Sequence, residues 1–287
     1  MNRFLIFLSG CLLFVATMIA CAPSRIIKGT GLSWRIKDNT LTISGNGAMP
    51  DYTNIIGIGG TAPWNFFRKS FIAVTIENGV TSVGKWAFVD RIDLKSVIIP
   101  ESVTSIGDYA FSRCQSLTSV IIPNSVTDIG SCAFGGCRGL ASITISNSVT
   151  IIKNLTFVGC LSLTSVIIPN SVTTIEDYAF MSCKSLNSII IPNSVNSIGI
   201  NAFFSCNSLK SVTIPNSVTF IGIQAFGDCA SLTEIINYAI TPQTIDTSEF
   251  NGVDKTKCTL RVPVESIAAY RAAEGWKDFE NIVAITE

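Results

Sequence analysis

The sequence predicts a β-rich solenoid: a right-handed coil whose turns lay strands side by side in one parallel sheet, with 23-residue repeats. Three observations predict it. Six cysteines, Cys114, Cys137, Cys160, Cys183, Cys206 and Cys229, stand 23 residues apart. Six phenylalanines from Phe111 to Phe226 keep the same step, and so do six leucines from Leu117 to Leu232. Self-similarity of this kind marks an array in which each copy buries its apolar side only against its neighbours. The chain divides into an export segment over 1–20, a tether over 21–29, an N-terminal cap over 30–64, the array over 65–240 and a C-terminal cap over 241–287.

Composition narrows the function. Lys+Arg and Asp+Glu are 20 each and charged residues make up 14%. No basic field draws nucleic acid, and no nucleic-acid partner is expected. There is no histidine, so a Ser/His/Asp or Cys/His centre is excluded and the commonest metal ligand is missing. No cofactor and no metal are expected, and the chain reads as a non-enzyme.

Residues 1–21 open with Arg3 and run apolar from Phe4 to Ile19. The run is a secretory signal, too short and wrongly flanked for a spanning helix. Its end, Met18-Ile19-Ala20-Cys21, resembles a bacterial lipoprotein box, in which the cysteine thiol is acylated. Leu8-Ser9-Gly10-Cys11 resembles the box too, but leaves an apolar core of about five residues, short of the roughly 7–15 a signal needs. Lipid on Cys21 would hold the protein on a membrane without spanning it; simple cleavage and release is the alternative. Bacteroides-type surface lipoproteins carry acidic residues just after that cysteine, and this tether has none before Asp38.

In the N-terminal cap, Leu32, Trp34 and Ile36 alternate, Asp38-Asn39 interrupts, and Leu41 and Ile43 resume. Period-two alternation about Asp-Asn predicts a β-hairpin. Gly45 to Pro50 reads as a loop, Gly57 to Gly60 as a bend, and Trp64, Phe66 and Phe67 as a plug over the end of the array.

Within the array, Leu117-x-x-Val120-x-Ile122 is the strand signature of a leucine-rich repeat. Pro123 ends the strand and Asn124-Ser125 turns the chain. Val126 to Ile129 is a second extended piece, and Cys132-Ala133-Phe134 a tight or helical return to Cys137. The pattern Ala-Phe-x-x-Cys-x-Ser-Leu-x-Ser-Val-x-Ile-Pro-Asn-Ser-Val-x-x-Ile-Gly resembles the BspA-like (Treponema-type) leucine-rich repeat over about residues 65–240. The flanks resemble that family too: Leu41 to Pro50 ahead, and Thr259 to Pro263 with Tyr270 and Trp276 behind. The resemblance implies a secreted or surface repeat protein, and some members act as adhesins for host matrix proteins or partner cells.

The cysteine ladder reads as buried thiols behaving as small hydrophobes, with disulfides between neighbouring rungs as the alternative in an oxidising compartment. Asn124, Asn170, Asn193 and Asn216 are expected to satisfy backbone groups in the turns. In the copy that starts at Leu140, Ser146 replaces proline and Thr156 replaces a small alanine, which should push the stack. After Leu232 the pattern decays, and Thr241-Pro242 ends the sheet signal. Residues 258–262 then read as a strand, with a helix from Pro263 carrying Tyr270 and Trp276 into the end.

The outward strand positions form the candidate partner-binding face. One column runs Ser96, Ser119, Ser142, Ser165, Ser188, Ser211, and the next Ile98, Ile121, Thr144, Ile167, Ile190, Thr213. Plain strand propensity accounts for such residues, and a docking strip for a protein partner is the functional reading. The expected protein is an exported lipoprotein of the envelope, at the outer membrane through Cys21, that binds host matrix or cell-surface proteins. A periplasm-facing structural scaffold is the alternative, and a glycan-binding module the remote one, since no Trp or Tyr falls on this face.

Overall fold

The computed structural model describes residues 24–286 apart from 56–58, 68–69 and 246. The export segment and Cys21 lie outside the described residues.

The cap hairpin forms as its alternation requires. Leu32–Lys37 pairs antiparallel with Thr40–Gly45, bringing Trp34 opposite Ile43. Asp38 and Asn39 both take positive φ, 47° and 58°, the backbone of a two-residue I′ turn. The second strand then pairs in parallel with Ala73–Ile76, so the cap is itself the first rung. The stretch expected as a loop contains a short strand, Gly47–Ala48, which starts a second ladder on Val80–Val83. The plug needs a correction. Trp64 is fully buried and its Nε1 donates to the Ala87 carbonyl at 2.8 Å, but Phe66 is 87% exposed. Pro63–Phe67 is a 3₁₀ turn. At three residues per turn it brings Trp64 and Phe67 to one side and leaves Phe66 on another.

Each array rung has three parts. The first is a face strand such as Ser119–Ile121, in register with Ser142–Thr144. The second is a two-residue strand such as Ser105–Ile106, in register with Ser82–Val83 and Asp128–Ile129. The third, the expected return, is not helical. It carries two left-handed residues per rung, for instance Tyr109 (φ 57°) and Arg113 (φ 60°). Those two kinks turn three N–H groups toward the next rung: Tyr109 to Ser131 O at 2.9 Å, Phe111 to Ala133 O at 2.8 Å and Arg113 to Gly135 O at 2.7 Å. The turn side is thus a third hydrogen-bonded ladder.

Inside, the phenylalanines stack. From Phe88 to Phe226 neighbouring rings lie 5.1–5.9 Å apart and within 19° of parallel. Trp64 continues the column at one end, and Phe250 followed by Trp276 at the other. The described cysteines are buried and free. Each ladder thiol donates to a phenylalanine carbonyl: Cys137 Sγ reaches Phe111 O at 3.1 Å, which also accepts Cys114 N at 3.2 Å. The column therefore closes a backbone acceptor as well as filling space.

The turn chemistry differs from expectation. Asn124 accepts from Asn147 N and Asn216 from Ile240 N, but neither Asn170 nor Asn193 makes such a bond among the described residues. The serine that follows ties three of these rungs instead: Ser125 donates to Val103 O, Ser171 to Val149 O and Ser217 to Val195 O, at 2.6–2.7 Å, while Ser194 Oγ is buried without a partner. A serine hydroxyl at that turn reaches the carbonyl of the preceding rung, whereas the longer asparagines point outward and are exposed.

The displaced copy shows as a seam. Phe134 and Phe157 are 5.9 Å apart, the widest step from Phe88 to Phe226, and the second ladder breaks between Asp128–Ile129 and Ile151–Ile152. Thr156 sits buried in the alanine column, its hydroxyl bonded to Lys153 O at 2.8 Å. A second departure lies three residues earlier. Gly107, Gly130, Gly199 and Gly222 share one repeat position, and a Cβ there would meet the preceding rung's backbone at 2.4–2.6 Å. Lys153 and Glu176 both hold that position with a Cβ; the Glu176 rung stays paired with the one before it, Ile152 with Ile175, and Lys153 bridges to Asp128 at 2.6 Å.

The sheet does not stop at Thr241-Pro242. Glu234–Asn237 pairs with Thr259–Val262, and that strand with Asn281–Ala284. Loops of unequal length join these rungs, which erases the period while leaving the pairing. Asn237 replaces an apolar column residue and is fully buried; its Nδ2 donates to Gln243 Oε1 at 2.9 Å. A helix, Ile267–Ala272, closes the end. Tyr270 donates to Ala239 O at 3.0 Å, and Trp276 Nε1 to Gln243 O at 2.9 Å.

Candidate functional site

The face is built by strand alternation. Val120 points into the core between Ser119 and Ile121, which point out, and the rungs at Ser142–Thr144 and Ser188–Ile190 repeat this. Stacking of the rungs then lines the outward residues into rows, with strand pairing interrupted between Ser96–Ile98 and Ser119–Ile121 and before Ser188–Ile190. Ile98, Ile121, Ile167 and Ile190 are 61%, 72%, 83% and 72% exposed. With Thr144 between them they form an uncharged apolar row spanning about 19 Å at ~4.8 Å per strand. The serine row Ser96, Ser119, Ser142, Ser165 and Ser188 runs exposed beside it.

Two features depart from the simple row. Ser211 and Thr213 are half-buried. Their neighbours in register are Glu234 and Ile236, and Glu234 is bonded to Arg261 at 2.7 Å on the next strand; these longer side chains shade the pair. The uncharged row ends there against an ion pair. At Ser165–Ile167 the ladder is reduced to a single bridge between Thr144 and Ile167, which lets Ile167 stand furthest out.

Three acidic residues of the array, Asp108, Glu176 and Asp177, serve the backbone. Asp108 Oδ1 accepts Ser131 N at 2.9 Å, Glu176 accepts Asn154 N at 2.8 Å, and Asp177 accepts Ile200 N at 2.7 Å. Asp108 also bridges Lys85 at 2.8 Å. Its carboxyl is held below the usual range by these bonds and the Lys85 charge, which outweigh partial burial. Burial pushes the thiols of Cys183, Cys229 and Cys258 up to about 12, which makes them poor nucleophiles. Sequence reading passed over one pair outside the face. Trp86 and Tyr109 occupy the same repeat position on the turn side, with rings stacked at 3.9 Å and 3°. Their spacing of one repeat was the available signal.

A coil of 23-residue turns with a leucine-strand face is a leucine-rich-repeat solenoid. The repeat family described as "BspA type Leucine rich repeat region (6 copies)" matches residues 63–187 and 150–272, and the chain belongs to that family. Among solved structures it is similar to a T. pallidum leucine rich repeat protein, with 27% identity over 74% of this chain and 81% of that one, and a TM-score of 0.48. A leucine rich cell surface protein from Faecalibacterium prausnitzii shows 23% identity over 93% and 96%, with a TM-score of 0.41. A leucine-rich repeat protein from Bacteroides ovatus shows 19% over 90% and 90%, with a TM-score of 0.43. No curated protein matches.

Proposed function

We propose that this is a non-enzymatic envelope lipoprotein, exported and held at the outer membrane by lipid on Cys21, that binds protein partners through its sheet face. The carrying observation is the exposed row Ile98, Ile121, Ile167 and Ile190, one repeat position on one face of the array. An aligned apolar row on a repeat protein favours a partner that lies across several rungs, and burying each isoleucine contributes about 2 kcal/mol. The row is flat, uncharged and flanked by small serines, which suits a protein surface better than a sugar. Repeat families of this architecture use extended surfaces for protein contact. The non-enzymatic reading is supported by how the reactive side chains are spent: thiols buried against carbonyls, and carboxylates on backbone N–H groups.

Binding of the purified protein to fibronectin, fibrinogen and cell-surface preparations tests the reading. The expected result is saturable binding that the triple variant Ile121→Asp, Ile167→Asp, Ile190→Asp lowers at least tenfold with unfolding temperature unchanged. Equal binding by the variant contradicts it. Protease treatment of intact cells separates outward display, in which the protein is cut, from a periplasm-facing scaffold, in which it survives.

A further inference from the structure

The turn side carries a groove of about 610 Å³ that the sheet-face reading does not use. It opens where the repeat pattern loses bulk. Gly136 and Gly159 occupy the position held by Arg113 one rung earlier and by Ser182 one rung later, and they clear the floor. In the adjacent column the rings of Trp86 and Tyr109 give way to the short side chain of Cys132. Trp86 stacks on one face of Tyr109 at 3.9 Å, no ring stacks on the other face among the described residues, and Tyr109 and Cys132 both line the groove.

The walls are cationic. Arg113 is already answered by Asp90, at 2.7 Å. Arg138 and Lys184 also line the groove, both are exposed, and neither forms an ion pair among the described residues. Among the described residues no carboxylate lines it. Its floor offers no free backbone row: Arg113 N donates to Gly135 O, Gly136 N to Val158 O, Gly159 N to Met181 O and Ser182 N to Phe204 O. An extended peptide therefore has no ladder to join. Recognition must come from a ring face and two unanswered cations. A ring face takes the C–H side of a pyranose, and the cations take carboxylates or sulfates spaced along it.

We propose that this groove is a second binding site, for an anionic saccharide, with Tyr109 as the stacking platform and Arg138 and Lys184 as the anion contacts. It is independent of the isoleucine row. Of the four tryptophans, Trp34, Trp64 and Trp276 are buried and Trp86 is half-buried, so Trp86 emission reports on occupancy.

The test titrates the purified full chain with a heparin-derived tetrasaccharide, trigalacturonate, uncharged maltotriose and a doubly phosphorylated peptide, following tryptophan emission and calorimetry. Saturable binding of at least one anionic saccharide, tighter than maltotriose and the phosphopeptide, is expected. Arg138→Gln with Lys184→Gln should weaken it tenfold or more, and Tyr109→Ala about tenfold, each with a thermal transition showing a folded chain. Arg35→Gln with Lys37→Gln, on the cap hairpin, should leave it unchanged, as should the triple isoleucine variant. The proposal is overturned by absence of saturable binding, by equal loss in the hairpin variant, or by tighter binding of maltotriose or the phosphopeptide.

Discussion

At the scale of single residues, the fold depends on positions where a side chain would be one atom too many. Gly130 would place a Cβ 2.4 Å from Asp108 N. Gly130→Ala should cost about 2 kcal/mol through overpacking, read as a lower denaturant midpoint at an unchanged m-value. The left-handed positions work the other way. Ser182 sits at φ 60° in a column where Gly136 and Gly159 already take positive φ. Ser182→Gly should gain a few tenths to ~1 kcal/mol, because the left-handed penalty removed exceeds the entropy glycine adds to the unfolded chain. Burial also sets a pH dependence. The Cys183, Cys229 and Cys258 thiols rise from 9.0 to about 12 on folding. Between those values the unfolded chain ionises while the folded chain stays protonated. Their contribution is therefore full below pH 9 and is lost as pH climbs toward 12. Urea midpoints should be flat from pH 7 to 9 and fall beyond, and Cys183→Ala with Cys229→Ala should make that fall shallower.

At the scale of elements, the rung was legible where residue type and position coincide. Leu117, Val120 and Ile122 announce an inward strand edge, and Asp38-Asn39 a hairpin turn, because each demands one backbone geometry. The turn side was not legible. Its left-handed residues include Tyr109, Cys132, Leu155 and Asn201, types with no common preference for positive φ. What fixes them is the three-bond ladder to the next rung, a tertiary cause. The serine ties were visible as a column at Ser125, Ser171 and Ser217 but were overshadowed by the asparagines beside them. Of the candidate site, the outward rows could be read from alternation alone. The shading of Ser211 and Thr213 required knowing that Arg261 returns beside Glu234 through a loop of irregular length. The seam likewise had no single signal, because Lys153 and Glu176 both replace a column glycine and only the Lys153 rung loses its pairing to the rung before it. Hydrogen exchange should be faster at the second ladder of that rung, around Ile151 and Ile152, than at Ser105–Ile106 or Ser197–Ile198.

For the whole molecule, stability is a sum of rungs and their interfaces, so the ends matter as much as the middle. The phenylalanine column is closed by Trp64 and Trp276, both fully buried. Phe157→Ala removes a ring from mid-column and should cost about 3–5 kcal/mol. Loss of a cap ring exposes the next rung to water and should spread unfolding inward from that end. The same stacking makes the sheet face useful, since it sets Ile98, Ile121, Ile167 and Ile190 at one repeat position on one side of the array. Site-specific photocrosslinking on intact cells tests that claim most directly, with the photoreactive residue at Ser119 or Ser188 on the face, or at Asn201 on the turn side. The account predicts adducts to a discrete protein partner from Ser119 and Ser188 and none to that partner from Asn201. Adducts to that partner from Asn201 alone, or no adduct from either face position, would contradict it.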